Sequence, residues 1–276
     1  MSRHTTRLIS HDVKVVSLVG LGHFCSHFYY LVLPPLFPVL KTFFDVSYTA
    51  LGFALMVMAV TAAIVQAPMG FLVDRFGGRM LLISGLLLSG VAIAGIGFAP
   101  NFAVVLALMV VLGIGDSVVH PADYAILNQT VDASRMGRAF SVHTFTGQLG
   151  FAAAPAAILA LSSVIGWQKA LVVAGVFGIS IALVMLVNRQ LLVEPAHSSD
   201  HPSSVVVMGT LGGIRLLVTL PILMGFAFYA SVSLTSGGMT SFGISALTLQ
   251  FGVSLAEAGV AVSAYLLVAP VGALIG

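Results

Sequence analysis

The residues that could do chemistry in this chain cluster in one apolar run, Gly113-Ile-Gly115-Asp116-Ser117-Val-Val-His120-Pro121-Ala-Asp123. In a helix turning about 100° per residue, Asp116, His120 and Asp123 fall within about 60° of one another. An ionisable group at mid-membrane costs roughly 2.5–3.5 kcal/mol on insertion scales, so such a stripe must face other helices or water. Two carboxylates flanking an imidazole can take up and release protons near neutral pH, and Asp116 with His120 is the expected carrier. The bland alternative is a buried packing pair. Asp123 stands nearer the inner end of its run, where pairing with Arg79 or Arg138 is an equal reading. His23 and His27, four residues apart on one face, make a second titratable site expected across a cavity from the first. His143 and Gln148 could hydrogen-bond a substrate or serve as polar glue between helices, and Gln66 reads as glue.

Elements able to hold these groups follow from composition. Hydrophobic residues make up 59% of the 276, charged residues only 7%, and mean hydropathy is +1.10. Such a chain is a polytopic all-α membrane protein, because only helices satisfy their own backbone in lipid at this density of apolar residues. Apolar spans lie near residues 13–40, 47–72, 79–99, 102–128, 138–163, 167–188, 209–235 and 257–276. Each has about 20 residues or more, enough to cross roughly 30 Å of hydrocarbon. Pro34, Pro35 and Pro38 should bend the outer end of the first. The basic start leads into a long apolar stretch with no small-residue cleavage site, so it reads as a retained first helix. The lone Cys25 allows no disulfide within the chain. Basic residues are scattered over loops, which argues against a nucleic-acid partner despite a pI near 8.9.

Charge fixes the expected orientation. With the N-terminus cytoplasmic, Arg3, Arg7, Lys14, Arg75, Arg79, Arg135, Arg138, Arg189 and Arg215 fall inside, and only Lys41 and Lys169 fall outside. The polar stretch from Asn188 to Met208 reads as a cytoplasmic linker after six helices. Its His197 and His201 lack further ligands, and no metal site is expected there. Between the second and third spans lies Gly70-Phe-Leu-Val-Asp74-Arg75-Phe-Gly77-Gly78-Arg79. Gly70 there suits a close helix contact, and Gly77 and Gly78 suit a sharp reversal. Asp74, Arg75 and Arg79 can pair with one another or with a helix end and so hold one of two access states.

The spacing G-x-L-x-D-R-x-G-x-R resembles the cytoplasmic-loop signature of the major facilitator superfamily. Polar groups in the first span (His23, Ser26, His27), the fourth (Asp116, Ser117, His120, Asp123) and the seventh (Ser231, Ser233, Thr235, Ser236) match that superfamily's three-helix repeats. The run G-x-G-x-S-x-x-H-P, with His23, Gly147-Gln148-Leu-Gly150, Pro155 and Phe251-Gly-Val-Ser, looks like its fosmidomycin-resistance branch. The chain departs from that branch at His27, where relatives often carry an acid, and at Ala154, where the antiporter-type motif has glycine.

The resemblance implies a six-helix N-terminal bundle (1–188), a linker (189–208) and the first two helices of a second bundle (209–276). It implies a fragment of a longer protein of about twelve helices. The implied activity is alternating-access transport of a small molecule in the inner membrane, as proton-coupled efflux that includes drugs. The proton gradient would be the energy source, no cofactor is expected, and the full-length protein would be a monomer in the lipid bilayer. Uptake or facilitated transport of a metabolite or organic anion is the alternative, though no Arg or Lys sits at mid-membrane to hold an anion. An intramembrane metalloenzyme is a weaker one, since neither H-E-x-x-H nor G-x-S-x-G occurs.

Overall fold

The computed structural model describes residues 3–192 and 218–275, and regular structure among them is wholly helical. The helices are α1 (Arg3–Tyr30), α2 (Phe37–Phe44), α3 (Tyr48–Phe76), α4 (Gly78–Ile96), α5 (Phe102–Asp116), α6 (Val119–Thr130), α7 (Met136–Ile165), α8 (Trp167–Val187), α9 (Leu220–Phe251) and α10 (Leu255–Ile275). They supply eight segments long and apolar enough to cross a membrane among the described residues. Two of these segments are broken. The first joins α1 to α2 through a 3-10 turn, Pro34–Leu36, as the three prolines require. The fourth breaks between α5 and α6 at Ser117 and Val118.

Local chemistry sets the ends. Ser47 accepts from the Ala50 N–H and Asn101 from the Val104 N–H, each satisfying a donor that the first turn of its helix leaves open. Ser254 and Glu257 bond each other's backbone N–H at the start of α10, a reciprocal cap. Gly77 reverses the chain between α3 and α4 at φ 82°, a region that other residues adopt only with strain.

The seventh span is the main correction to the sequence reading. It was expected at 209–235, but the helix begins at Leu220 and runs to Phe251. Thr219 is extended, Pro221 suits the first turn, and Gly252 stops the helix in the left-handed region. The Ser/Thr/Gly-rich half from 236 onward is helical too, and hydroxyls there bond back to carbonyls, as Thr240 does to Ser236, which satisfies them without water. Residues 193–217, with His197, His201, Arg215 and the expected linker, lie outside the described residues.

Around the site, α7 packs against α1, α8 and α10, while α4 packs against α5 and α8. Lipid and side chain are equally apolar, so close packing rather than water exclusion joins these helices. Where α4 crosses α5, a methyl group on Gly85 would fall 2.6 Å from the Gly115 carbonyl. Only glycine permits that approach, and it sets Asp116 at the bundle interior.

Candidate functional site

Asp116 ends α5 and is 6% exposed; the Ser26 hydroxyl of α1 donates to its Oδ1 at 2.5 Å. It makes no pair with His120. Across the turn at Ser117 and Val118, Asp116 meets Ser26 while His120 stands beside His23 and His27. Ser117 turns back to the Ile114 carbonyl at 2.7 Å.

Asp123, on α6, is fully buried, and its partner is neither Arg79 nor Arg138. Its Oδ2 lies 3.0 Å from His143 Nε2 on α7. The reason is depth: Asp123 faces the packed interior, whereas Arg79 reaches across its own end of the bundle to the Arg189 carbonyl at 3.4 Å. His143 is therefore held by a carboxylate.

His143 also organises His23. The His143 carbonyl accepts from His23 Nδ1 at 2.7 Å, and the two rings stack with centroids 3.6 Å apart and planes 9° from parallel. A carbonyl can only accept, so His23 carries its proton on Nδ1 and a lone pair on Nε2. That Nε2 has no partner. His27 lies 4.3 Å from His23 and 5.7 Å from His120 between ring centroids, and His23 lies 5.2 Å from His120. The two histidines of α1 are thus not a second site across a cavity. With His120 they form one cluster. Gly147 makes room for it, since a methyl there would stand 2.5 Å from His23 Cε1 and 3.0 Å from His27 Cε1.

The other expected residues divide. Gln148 is half-buried on α7, one residue beyond Gly147. Gln66 and Gly70 line a groove with Ala63 and Pro121, next to His120 in sequence. Gly70 makes no close helix contact, because this part of α3 stands clear of its neighbours. Gly78 does: a methyl there would meet the Ala122 carbonyl at 3.0 Å. Asp74 and Arg75 are exposed, and among the described residues neither forms an ion pair. Arg75 instead lies over the Phe76 ring, 5.3 Å from its centroid, so only Arg79 finds the expected helix end.

Sequence reasoning missed the ion pair that does join elements at this end. Arg135 grips the buried Asp12 of α1 through Nη2 at 2.6 Å and Nε at 2.7 Å. Asp12 also accepts from the Asp132 N–H at 3.4 Å. Hydrogen bonds from Ser134 hold the Asp132 carboxyl below the usual carboxylate range. A lone acid in the first span facing a basic turn was the available signal. Ser26 was visible only as a polar member of the first span, and its bond to Asp116 spans 90 residues.

A broken helix, buried charge and glycine-mediated packing are the marks of a solute-handling membrane bundle. The sequence model of the Major Facilitator Superfamily matches residues 19–276, and the chain belongs to that family. It is 26% identical over 141 residues to the uncharacterized MFS-type transporter YfnC of Bacillus subtilis, covering 51% of this chain and 34% of that protein. It is 28% identical over 137 residues to a probable L-galactonate transporter of Escherichia coli, covering 50% and 30%. A probable sulfoacetate transporter, SauU of Cupriavidus necator, is 28% identical over 138 residues, covering 50% and 32%. Each match therefore spans about a third of the relative's length. The fold is also that of a bacterial homolog of the human lysosomal transporter Spinster in an inward-facing, unoccupied conformation. The TM-score is 0.79 at 18% identity, over 95% of this chain and 61% of that one. Membership of a family of transporters sets the metalloenzyme alternative aside.

Proposed function

We propose that this chain is part of a secondary transporter that moves a small molecule by alternating access, with proton-coupled efflux as its activity. The observation that carries the reading is Asp116. It is a buried carboxylate at a helix break, met by Ser26 and with Tyr30 beside it, and it has no cationic partner among the described residues. A proton on this group removes a charge that packed helices tolerate poorly, which links protonation to opening and closing. The Asp123–His143 pair is a second store of charge behind it. His23, His27, His120 and Gln148 form the substrate side.

The turn Gly70, Asp74, Arg75, Gly77 and Arg79 is the cytoplasmic gate motif, and Asp74 and Arg75 are free to change partners between states. The chain's N-terminus lies on the cytoplasmic side of an inner membrane, and residues 1–188 form one bundle joined by the linker 189–208 to the start of another. The resemblance to the fosmidomycin-resistance branch supports efflux. Uptake or facilitated transport of an organic anion is the second reading, and the names of two relatives support that class of solute and not a direction.

The test is a proteoliposome assay with the pH gradient imposed in each direction and fosmidomycin, L-galactonate and sulfoacetate as candidate solutes. Solute movement against its own gradient, driven by protons entering the cell-interior side, supports the proposal. Movement indifferent to the pH gradient would assign simple facilitation.

A further inference from the structure

We infer that His23, His27 and His120 form a binding site for one divalent transition-metal ion of the zinc, cobalt and nickel class. Each of the three offers a ligand atom, and these atoms lie within 4.8 Å of one another. Each also has a buried ring nitrogen with no partner: His23 Nε2, His27 Nδ1 and His120 Nδ1. An unmatched buried nitrogen is costly, and three of them on rings this close together are ligands that one ion could satisfy at once.

The support around the set is that of a metal centre. His23 donates its other nitrogen to the His143 carbonyl, which fixes the tautomer that leaves Nε2 free to ligate. His143 is in turn held by Asp123, so the outer shell runs from carboxylate to imidazole to backbone to ligand. Asp123 keeps a second buried oxygen, Oδ1, without a partner. His23, Asp123 and His143 also lie close enough to ligate together. In that set, however, His143 Nε2 and Asp123 Oδ2 are already spent on each other, which favours the three-histidine set.

Imidazole donors suit zinc, cobalt, nickel and copper and not magnesium or calcium, which take oxygen. Three protein ligands leave a coordination position open to water or to a solute donor. No pattern in the sequence announces the site, because its ligands come from α1 and α6, about a hundred residues apart. The inference stands on this geometry and not on the direction or coupling of transport.

The test uses the untagged protein, stripped with chelator and placed in nanodiscs, with Co2+ as the probe. One Co2+ per chain should bind with the intense visible bands of a four-coordinate ion, and Zn2+ should displace it. His23→Gln and His120→Gln should each weaken binding at least about tenfold, whereas His197→Gln with His201→Gln, outside the described residues, should change nothing. His27→Cys keeps a ligand in place and should add a thiolate-to-cobalt charge-transfer band. That gain of signal does not depend on the glutamine variants remaining folded. No four-coordinate cobalt spectrum in the unsubstituted protein, or equal affinity in His23→Gln/His120→Gln, would overturn the inference.

Discussion

Asp123 Oδ2 stands 3.0 Å from His143 Nε2, and both side chains are almost wholly buried at the seam of α6 and α7. Removing one partner strands the other without water to replace it. His143→Leu should therefore destabilise the bundle by about 1–3 kcal/mol, and Asp123→Leu by a similar amount. The double variant Asp123→Leu/His143→Leu should cost less than the sum, since no polar group is left orphaned. Thermal unfolding in one detergent, read across all four proteins, measures the coupling, and strict additivity would deny it.

Asp116 gives the sharpest functional prediction. Asn at this position can still accept from Ser26 but cannot gain or lose a proton. Asp116→Asn should leave solute binding measurable and abolish the response of transport to pH between about 5 and 8, the window of the expected coupling. An unaltered pH profile would reduce Asp116 to a packing role.

The charged features around Asp12 and Asp74 should separate in experiment. Asp12 is largely buried under a two-pronged Arg135 grip, with Arg135 a quarter exposed, so Arg135→Ala should cost about 1 kcal/mol or more of stability. Asp74 is exposed and forms no ion pair among the described residues, so Asp74→Asn should change unfolding by less than about 0.5 kcal/mol. As a gate residue it should nevertheless stop transport. Full transport by Asp74→Asn at normal expression removes it from the gate.

Gly147 tests the histidine cluster by volume alone. The added methyl in Gly147→Ala would meet the His23 and His27 rings at 2.5 and 3.0 Å. Overpacking of this kind typically costs about 1–3 kcal/mol. The rings should shift, and solute uptake into proteoliposomes should fall while the protein still inserts. Gly137→Ala, whose methyl would meet nothing within 4 Å, is the control for a glycine on the same helix. Equal transport by the two variants would show that the rings have room to spare.

The sequence by itself determined the class of this protein. Lipid requires runs of about 20 apolar residues, and such runs are local, countable and hard to imitate. The charged turn at 70–79 and the prolines that follow α1 were legible for the same reason. Tertiary structure decided who meets whom. Ser26 finds Asp116, His143 finds Asp123, and Arg135 finds Asp12 across 90, 20 and 123 residues. Such pairings depend on how helices rotate and how closely their glycines let them approach, and spacing along one helix does not encode either. Periodicity put Asp116, His120 and Asp123 on one face by assuming an unbroken helix. Ser117 and Val118 keep right-handed helical geometry, but helix packing gave each group its own partner, Ser26 for Asp116, the α1 histidines for His120 and His143 for Asp123. The seventh helix slid to 220–251 because hydropathy alone cannot tell a hydroxyl that bonds its own backbone from one that needs water.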